Sequence, residues 1–107
     1  MKKSEPMSES YYYILLCLSK GANHGYGIMQ MTEKLSEGRV KLGAGTLYGA
    51  LSSLCEKGWI APLPTAEESR KKEYKLTPLG FQVLKKELER LKQLVRNGEE
   101  TLKENEG

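Results

Sequence analysis

The chain has little of what enzymes and metalloproteins use: one histidine, His24, and two cysteines among 107 residues. A lone histidine and scattered glutamates assemble no acid–base pair, no nucleophile with its base and no ligand cluster, so the sequence reads as a non-enzyme with no metal site and no cofactor. Cys17 and Cys55 lie in apolar helical patterns without CxxC spacing or a neighbouring histidine. That predicts two packed thiols in a reducing cytoplasm rather than a disulfide. The longest apolar stretch, Tyr11 to Leu18, stops at Ser19-Lys20, far short of the roughly 20 residues that span a bilayer, so neither a signal peptide nor a membrane anchor is expected. Gly43-Ala44-Gly45-Thr46 has the glycines of a phosphate loop but not its lysine. A single Phe and a single Trp leave a modest core that gains from burial against a partner.

What is present fits one domain. The net charge is +3, and the excess lies early: residues 1–77 hold 11 Lys/Arg against 8 Asp/Glu, while residues 78–107 hold 6 of each. The first part is the one suited to a polyanion, although so small an excess decides nothing alone. Ser8 is placed to cap a first helix, with Tyr11, Ile14, Leu15 and Leu18 on one face and Gly21 at its end. Asn23 is expected to cap a second helix running to about Ser36, with Ile28, Met31, Thr32 and Leu35 along one side. A third helix opens at Gly43-Ala44-Gly45 and closes at Gly58, its stripe Leu47, Leu51, Leu54 and Cys55 facing inward. Its outward residues Gly45, Thr46, Gly49, Ser52 and Ser53 are all small, with Tyr48 the one large group. A helix-interior glycine costs about 1 kcal/mol relative to alanine, so Gly49 implies something approaching closely.

After Gly58 the hydrophobic period changes to two. Trp59-Ile60-Ala61 and Lys72 to Leu76 read as a two-stranded hairpin whose connection, Pro62 to Lys71, projects into solvent. Thr77-Pro78 starts a last helix. There Phe81, Leu84, Leu88, Leu91, Val95 and Leu102 form a heptad seam interrupted at Gly98, and nothing else in the chain supplies a matching helix. A second copy is the expected partner, through Leu84, Leu88, Leu91 and Val95.

The fold class is therefore mainly α with a small β-hairpin: a winged helix-turn-helix over residues 1–77, then a long dimerisation helix over residues 78–107. Such a fold puts its third helix in the DNA major groove, about 12 Å wide, and small outward side chains suit that fit. Gly45, Thr46, Tyr48, Gly49 and Ser52 are the expected DNA-facing set on that helix, with Arg70, Lys71 and Lys72 on the wing contacting phosphates. The competing reading is a winged helix that mediates protein contacts without DNA. His24 reads as a helix-start or packing residue. Tyr11, Tyr12 and Tyr13 read first as core and interface, and secondly as the lining of an effector cavity.

Several segments are also recognisable together: His24-Gly25-Tyr26-Gly27-Ile28, Gly45-Thr46-Leu47-Tyr48 with Leu51 and Leu54, Gly58 with Ile60, and Tyr74-Lys75-Leu76-Thr77-Pro78-Leu79-Gly80. In this order and spacing, from about Tyr11 to Leu91, they resemble the PadR family of transcriptional regulators, in its short form with a single C-terminal dimerising helix. The resemblance implies a cytoplasmic homodimer that represses promoters and is released by a small-molecule effector, often phenolic, at the dimer interface. It also implies Thr46 and Tyr48 on the recognition helix and Arg70 to Lys72 in the wing. The last helix holds neither Trp nor Tyr, so it offers no aromatic sandwich for a planar drug.

Overall fold

Four helices and a small sheet follow one another as α1 (Glu9–Ser19), β1 (Asn23–His24), α2 (Gly25–Leu35), α3 (Ala44–Glu56), β2 (Ile60–Pro62), β3 (Glu73–Leu76) and α4 (Pro78–Glu106). The computed structural model describes residues 6–64 and 71–106. The sheet is antiparallel in the order β1-β3-β2, with Asn23 opposite Tyr74 and Ile60 opposite Leu76. This is the winged-helix arrangement expected from the sequence, with one strand more than the hairpin.

The extra strand changes the start of α2. Asn23 is not its cap; it pairs with Tyr74 in β1, and its Oδ1 accepts from the His24 backbone N–H at 2.9 Å. His24 caps instead, its Nδ1 accepting from the Gly27 N–H at 3.1 Å. The cap of α1 is as read: Ser8 Oγ accepts from the Tyr11 N–H at 3.1 Å.

Ile14, Leu15, Ile28, Leu47, Leu51, Leu54 and Ile60 form the fully buried centre, where α1, α2, α3 and β2 meet. Each such side chain contributes about 1.5–3 kcal/mol by leaving water. Thr32 is buried on the inward face of α2 and lies 3.5 Å from Cys17 Sγ, and burial pushes the Cys17 thiol above its ordinary range. Leu35, expected on that same face, is exposed, and Ser36, whose Oγ accepts from the Val40 N–H at 2.9 Å, takes the inward place one turn after Thr32. Cys55 is only half-buried at the edge of the α3 stripe.

The joint between sheet and α4 is tightly made. Thr77 Oγ1 accepts from the Gly80 N–H at 3.0 Å and donates to the Gly58 carbonyl at 2.6 Å, while the Thr77 N–H donates to the Trp59 carbonyl at 3.0 Å. That carbonyl lies where a Cβ on Gly80 would stand, so only glycine lets α4 approach the sheet this closely. Its 29 residues make α4 about 43 Å long. The radius of gyration, 16.3 Å, exceeds the roughly 13 Å of a compact 100-residue domain because the second half of α4 projects.

Among the described residues, the buried positions of α4 all lie in its first half. Leu84 is 6% exposed and belongs to the core, so this member of the expected dimer seam is already covered by its own protomer. The heptad register alone does not say which partner an apolar residue meets, and here α1 reaches Leu84 first. Glu87 is buried beside it. Its carboxylate accepts from Arg90 Nε at 2.8 Å and Arg90 Nη2 at 2.6 Å, and from the Met7 N–H at 3.3 Å. The hydrogen bonds from Arg90 hold the Glu87 carboxyl below its ordinary range. Among the described residues, no buried side-chain nitrogen or oxygen lacks a partner.

The glycines of the two long helices should respond oppositely to the same change. Among the described residues nothing outside the helix's own backbone lies within 4 Å of a Cβ built on Gly49, so Gly49→Ala should raise Tm by roughly the 4–8 °C that about 1 kcal/mol brings to a domain of this size. Gly80→Ala should lower Tm despite the same propensity gain, because its methyl group meets a backbone carbonyl that cannot step aside. Thermal denaturation of the two variants checks this, and equal stabilisation by both would mean that the joint is looser than described.

Candidate nucleic-acid interface

α3 rests against the start of α2 through Tyr48 and Gly25, and leads on into the wing formed by β2 and β3. On α3, Leu47, Ala50, Leu51 and Leu54 are buried, which turns the opposite arc to solvent. That arc carries Gly45, Thr46, Tyr48, Gly49 and Ser52, all exposed and close together at helical spacing. Among the described residues, no atom outside the helix's own backbone stands within 4 Å of a Cβ built on Gly43, Gly45 or Gly49. The helix begins at the N-cap Gly43 without a side-chain cap, so its first amides stay open at the same end.

Tyr48 has two sides. It is 54% exposed, as a DNA-facing residue should be, yet its hydroxyl lies 2.8 Å from the place of a Cβ on Gly25. The buried Gly25, first residue of α2, lets the phenol rest over the start of that helix, with Leu47 Cδ2 at 3.2 Å from the same point. This latch between α3 and α2 escaped the sequence reading. Its signal was the glycine next to His24, whose reason was a side chain on another helix.

The wing is held by ladder bonds between Ile60–Pro62 and Glu73–Leu76, extended by the Leu63 N–H to the Glu73 carbonyl at 2.9 Å. Lys71 and Lys72 are exposed at its described end, and the Lys72 ammonium lies 5.9 Å from the centre of the Tyr74 ring. Arg70, the third expected wing contact, lies outside the described residues. On α4, Leu88 is 40% and Val95 58% exposed, with Leu91 half-buried between them. The structure thus brings the α3 set together and places Leu88, Leu91 and Val95 on a separate helix, away from α3. Among the described residues no cluster of three or more His, Cys, Asp or Glu side chains fits a metal ion, and no helix is long and apolar enough to cross a membrane.

Residues 14–86 match the transcriptional regulator PadR-like family. The chain belongs to that family. It is 38% identical over 80 residues to an uncharacterized 37.1 kDa protein in transposon TN4556 of Streptomyces fradiae, a match that takes in 75% of this chain and 22% of that protein. The chain therefore spans about a fifth of the length of that curated relative. Among solved structures it is similar to a transcriptional regulator from Clostridium thermocellum, with 28% identity and a TM-score of 0.71 over 82% of this chain and 89% of that one. It is also similar to Bacillus subtilis PadR in complex with operator DNA, with 30% identity and a TM-score of 0.68 over 78% of this chain and 48% of that one.

The family match covers α2, α3, the wing and the first turns of α4, so the latch under Tyr48 lies within the PadR-like region. Gly25→Ala should destabilise the protein, and should do so less when Tyr48 is also alanine, since the new methyl group then no longer meets the phenol. Urea denaturation of the two single variants and the double variant should give a coupling of about 1 kcal/mol. Strict additivity would show that the Tyr48 ring does not rest on α2.

Proposed function

We propose that this PadR-like regulator binds double-stranded operator DNA as a cytoplasmic homodimer and represses its promoter until a small molecule binds at the dimer interface. Residues 1–77 read the DNA, and residues 78–107 form the dimerisation helix. The observation that carries the reading is the α3 arc of Gly45, Thr46, Tyr48, Gly49 and Ser52, an exposed helix face with no bulk over its glycines. Such a face enters a major groove with its backbone close to the base edges, and its uncapped first turn offers amides to a phosphate. Arg70, Lys71 and Lys72 add phosphate contacts that carry affinity without sequence information. The operator complex of Bacillus subtilis PadR supports the same use of the fold.

Dimerisation rests on Leu88, Leu91 and Val95, apolar residues on a helix whose residues 92–105 are all exposed. Beside them, Tyr12, Tyr13, Leu91, Glu87 and Arg39 line a groove of about 370 Å³ between α1 and α4, of a size and mixed character suited to a small phenolic effector. Burial pushes the Tyr12 hydroxyl above its ordinary range, with the Glu87 charge adding to the effect, so it stays a neutral hydrogen-bonding group there.

Selection of bound duplexes from a random pool tests the function directly, and a palindromic consensus is the expected result. No enrichment, together with salt-insensitive capture of a protein, would favour the protein-interaction reading. On the selected duplex, Gly49→Gln should bind at least about tenfold more weakly with Tm kept or raised, since glutamine is the better helix former. Unchanged binding would remove α3 from the groove. Leu88→Lys with Leu91→Lys should sediment as a monomer and lose tight binding, because two half-sites engaged together gain from effective concentration. A double variant that remains dimeric would move the interface elsewhere.

A further inference from the structure

The carboxylate of Glu87 borders two cavities of opposite charge. One is the groove between α1 and α4 described above, where Arg39 is engaged with Glu9 through contacts of 2.7 and 3.2 Å, so that Glu87 leaves the lining with one negative charge in excess. The other has a volume of about 230 Å³ and lies where Lys57 and Trp59, in the link from α3 to β2, face Val83, Lys86 and Arg90 on α4. Here the three cations outweigh Glu87 by two. Arg90 already serves the Glu87 carboxylate, but among the described residues neither Lys57 nor Lys86 lies within salt-bridge distance of a carboxylate.

Trp59 gives this basic cavity a planar apolar wall. Its ring is half-buried, with the Lys57 ammonium 5.3 Å from the ring centre. The same Trp59, with Met7 and Lys57, also lines a second cavity of about 420 Å³ that reaches Tyr11. The adjoining spaces are of the size of small-molecule sites, about 300–1,000 Å³. We infer that they bind a small phosphate monoester with a planar body, the chemistry of a nucleoside monophosphate. Its phosphate lies among Lys57, Lys86 and Arg90, and its planar body lies along Trp59 toward Tyr11. A phosphate monoester carries about −1.5 to −2 charges at pH 7 and matches an excess of two, whereas a monocarboxylate leaves one cation unmatched. Arg90 holds Glu87 through Nε and Nη2, which leaves Nη1 to donate to a phosphate oxygen.

This site is separate from the surfaces to which DNA, a second copy and a phenolic effector were assigned above, and it depends on none of them. Val83 and Leu88 are five residues apart, roughly 140° around the helix, so a copy seated on Leu88 and Val95 leaves this flank of α4 open. The charge on Glu87 also divides the two cavities by ligand. An anion is repelled from the groove beside Tyr12 and Tyr13 and attracted to the cations beside Trp59. A molecule held there touches α4 and the link to α3 at once.

Trp59 is the only tryptophan of the chain, so its fluorescence reads the site directly. Adenosine monophosphate, titrated into the whole protein without DNA and excited beyond the adenine absorption, should change the emission saturably. It should also raise Tm, because a ligand that binds only the folded chain stabilises it. Adenosine alone and inorganic phosphate alone should each bind at least about tenfold more weakly, since each fills one part of the site. Lys86→Gln should weaken the nucleotide at least about tenfold through loss of a charged partner, whereas Lys72→Gln on the wing should leave its binding unchanged. Both lysines are exposed, so their exchange leaves the fold intact. An emission that never saturates would overturn the inference. So would adenosine, inorganic phosphate or benzoate binding as tightly as the nucleotide, or loss of binding in Lys72→Gln with none in Lys86→Gln.

Discussion

The position of every outward surface depends on the contact between the first turn of α4 and the Trp59 carbonyl. Thr77 caps the helix and donates to the Gly58 carbonyl, and Gly80 has no side chain to hold the helix off the sheet. These bonds tie α4 to β2, and β2 follows α3 directly through Lys57, Gly58 and Trp59, with the Trp59 N–H returning to the Leu54 carbonyl at 3.1 Å. α3 and the long helix are therefore joined through three hydrogen-bonded residues of backbone. A change in the direction of one is transmitted to the other without a flexible segment between them.

On α3 the two sides serve opposed demands. Its buried leucines anchor it to α1 and α2, and this packing offsets the weak intrinsic stability of a helix that carries glycine at 45 and 49. The exposed side gives up helix propensity and gains shallowness. A protein that needed α3 only for stability would gain by placing alanine at Gly49, where nothing among the described residues obstructs it. Tyr48 reconciles the two sides, resting over Gly25 while showing half its surface to solvent. It can fix the angle between α2 and α3 and still touch a ligand.

The helices were legible in the sequence because each keeps a 3.6-residue apolar period, and α4 adds Thr77-Pro78 as a start signal. What stayed hidden depended on contacts between segments distant in sequence. β1 is two residues long, too short for any period to show, and it exists because β3 offers a free edge. Asn23 and His24 are adjacent polar residues that both suit a cap, and only the pairing of Asn23 with Tyr74 decides between them. Leu84 carries the same seam signal as Leu88, since a heptad records an apolar stripe but not whether α1 or a second copy covers it. On α3 the exposed face was readable because small outward residues are costly in a helix. The Tyr48 latch was not, because Gly25 shows its reason only once α3 is folded against it.

The same rigid joint limits how an effector could act on the reading proposed here. A ligand shifts a conformational equilibrium only by the difference in its affinity for the two states. One that touched Tyr12 and Tyr13 alone would move with α1 and favour neither arrangement of α4. One that touched Leu91 or Glu87 alone would move with α4. On that reading, an effector that released DNA would have to bridge the two walls, so that its fit changes when α4 tilts against α1. Glu87 is the residue on which such a ligand would act most directly, because its carboxylate already ties α4 to the Met7 backbone that leads into α1. A phenol that took the Met7 donor's place on that carboxylate would loosen this tie, and through Thr77 and Gly80 the new tilt would reach α3.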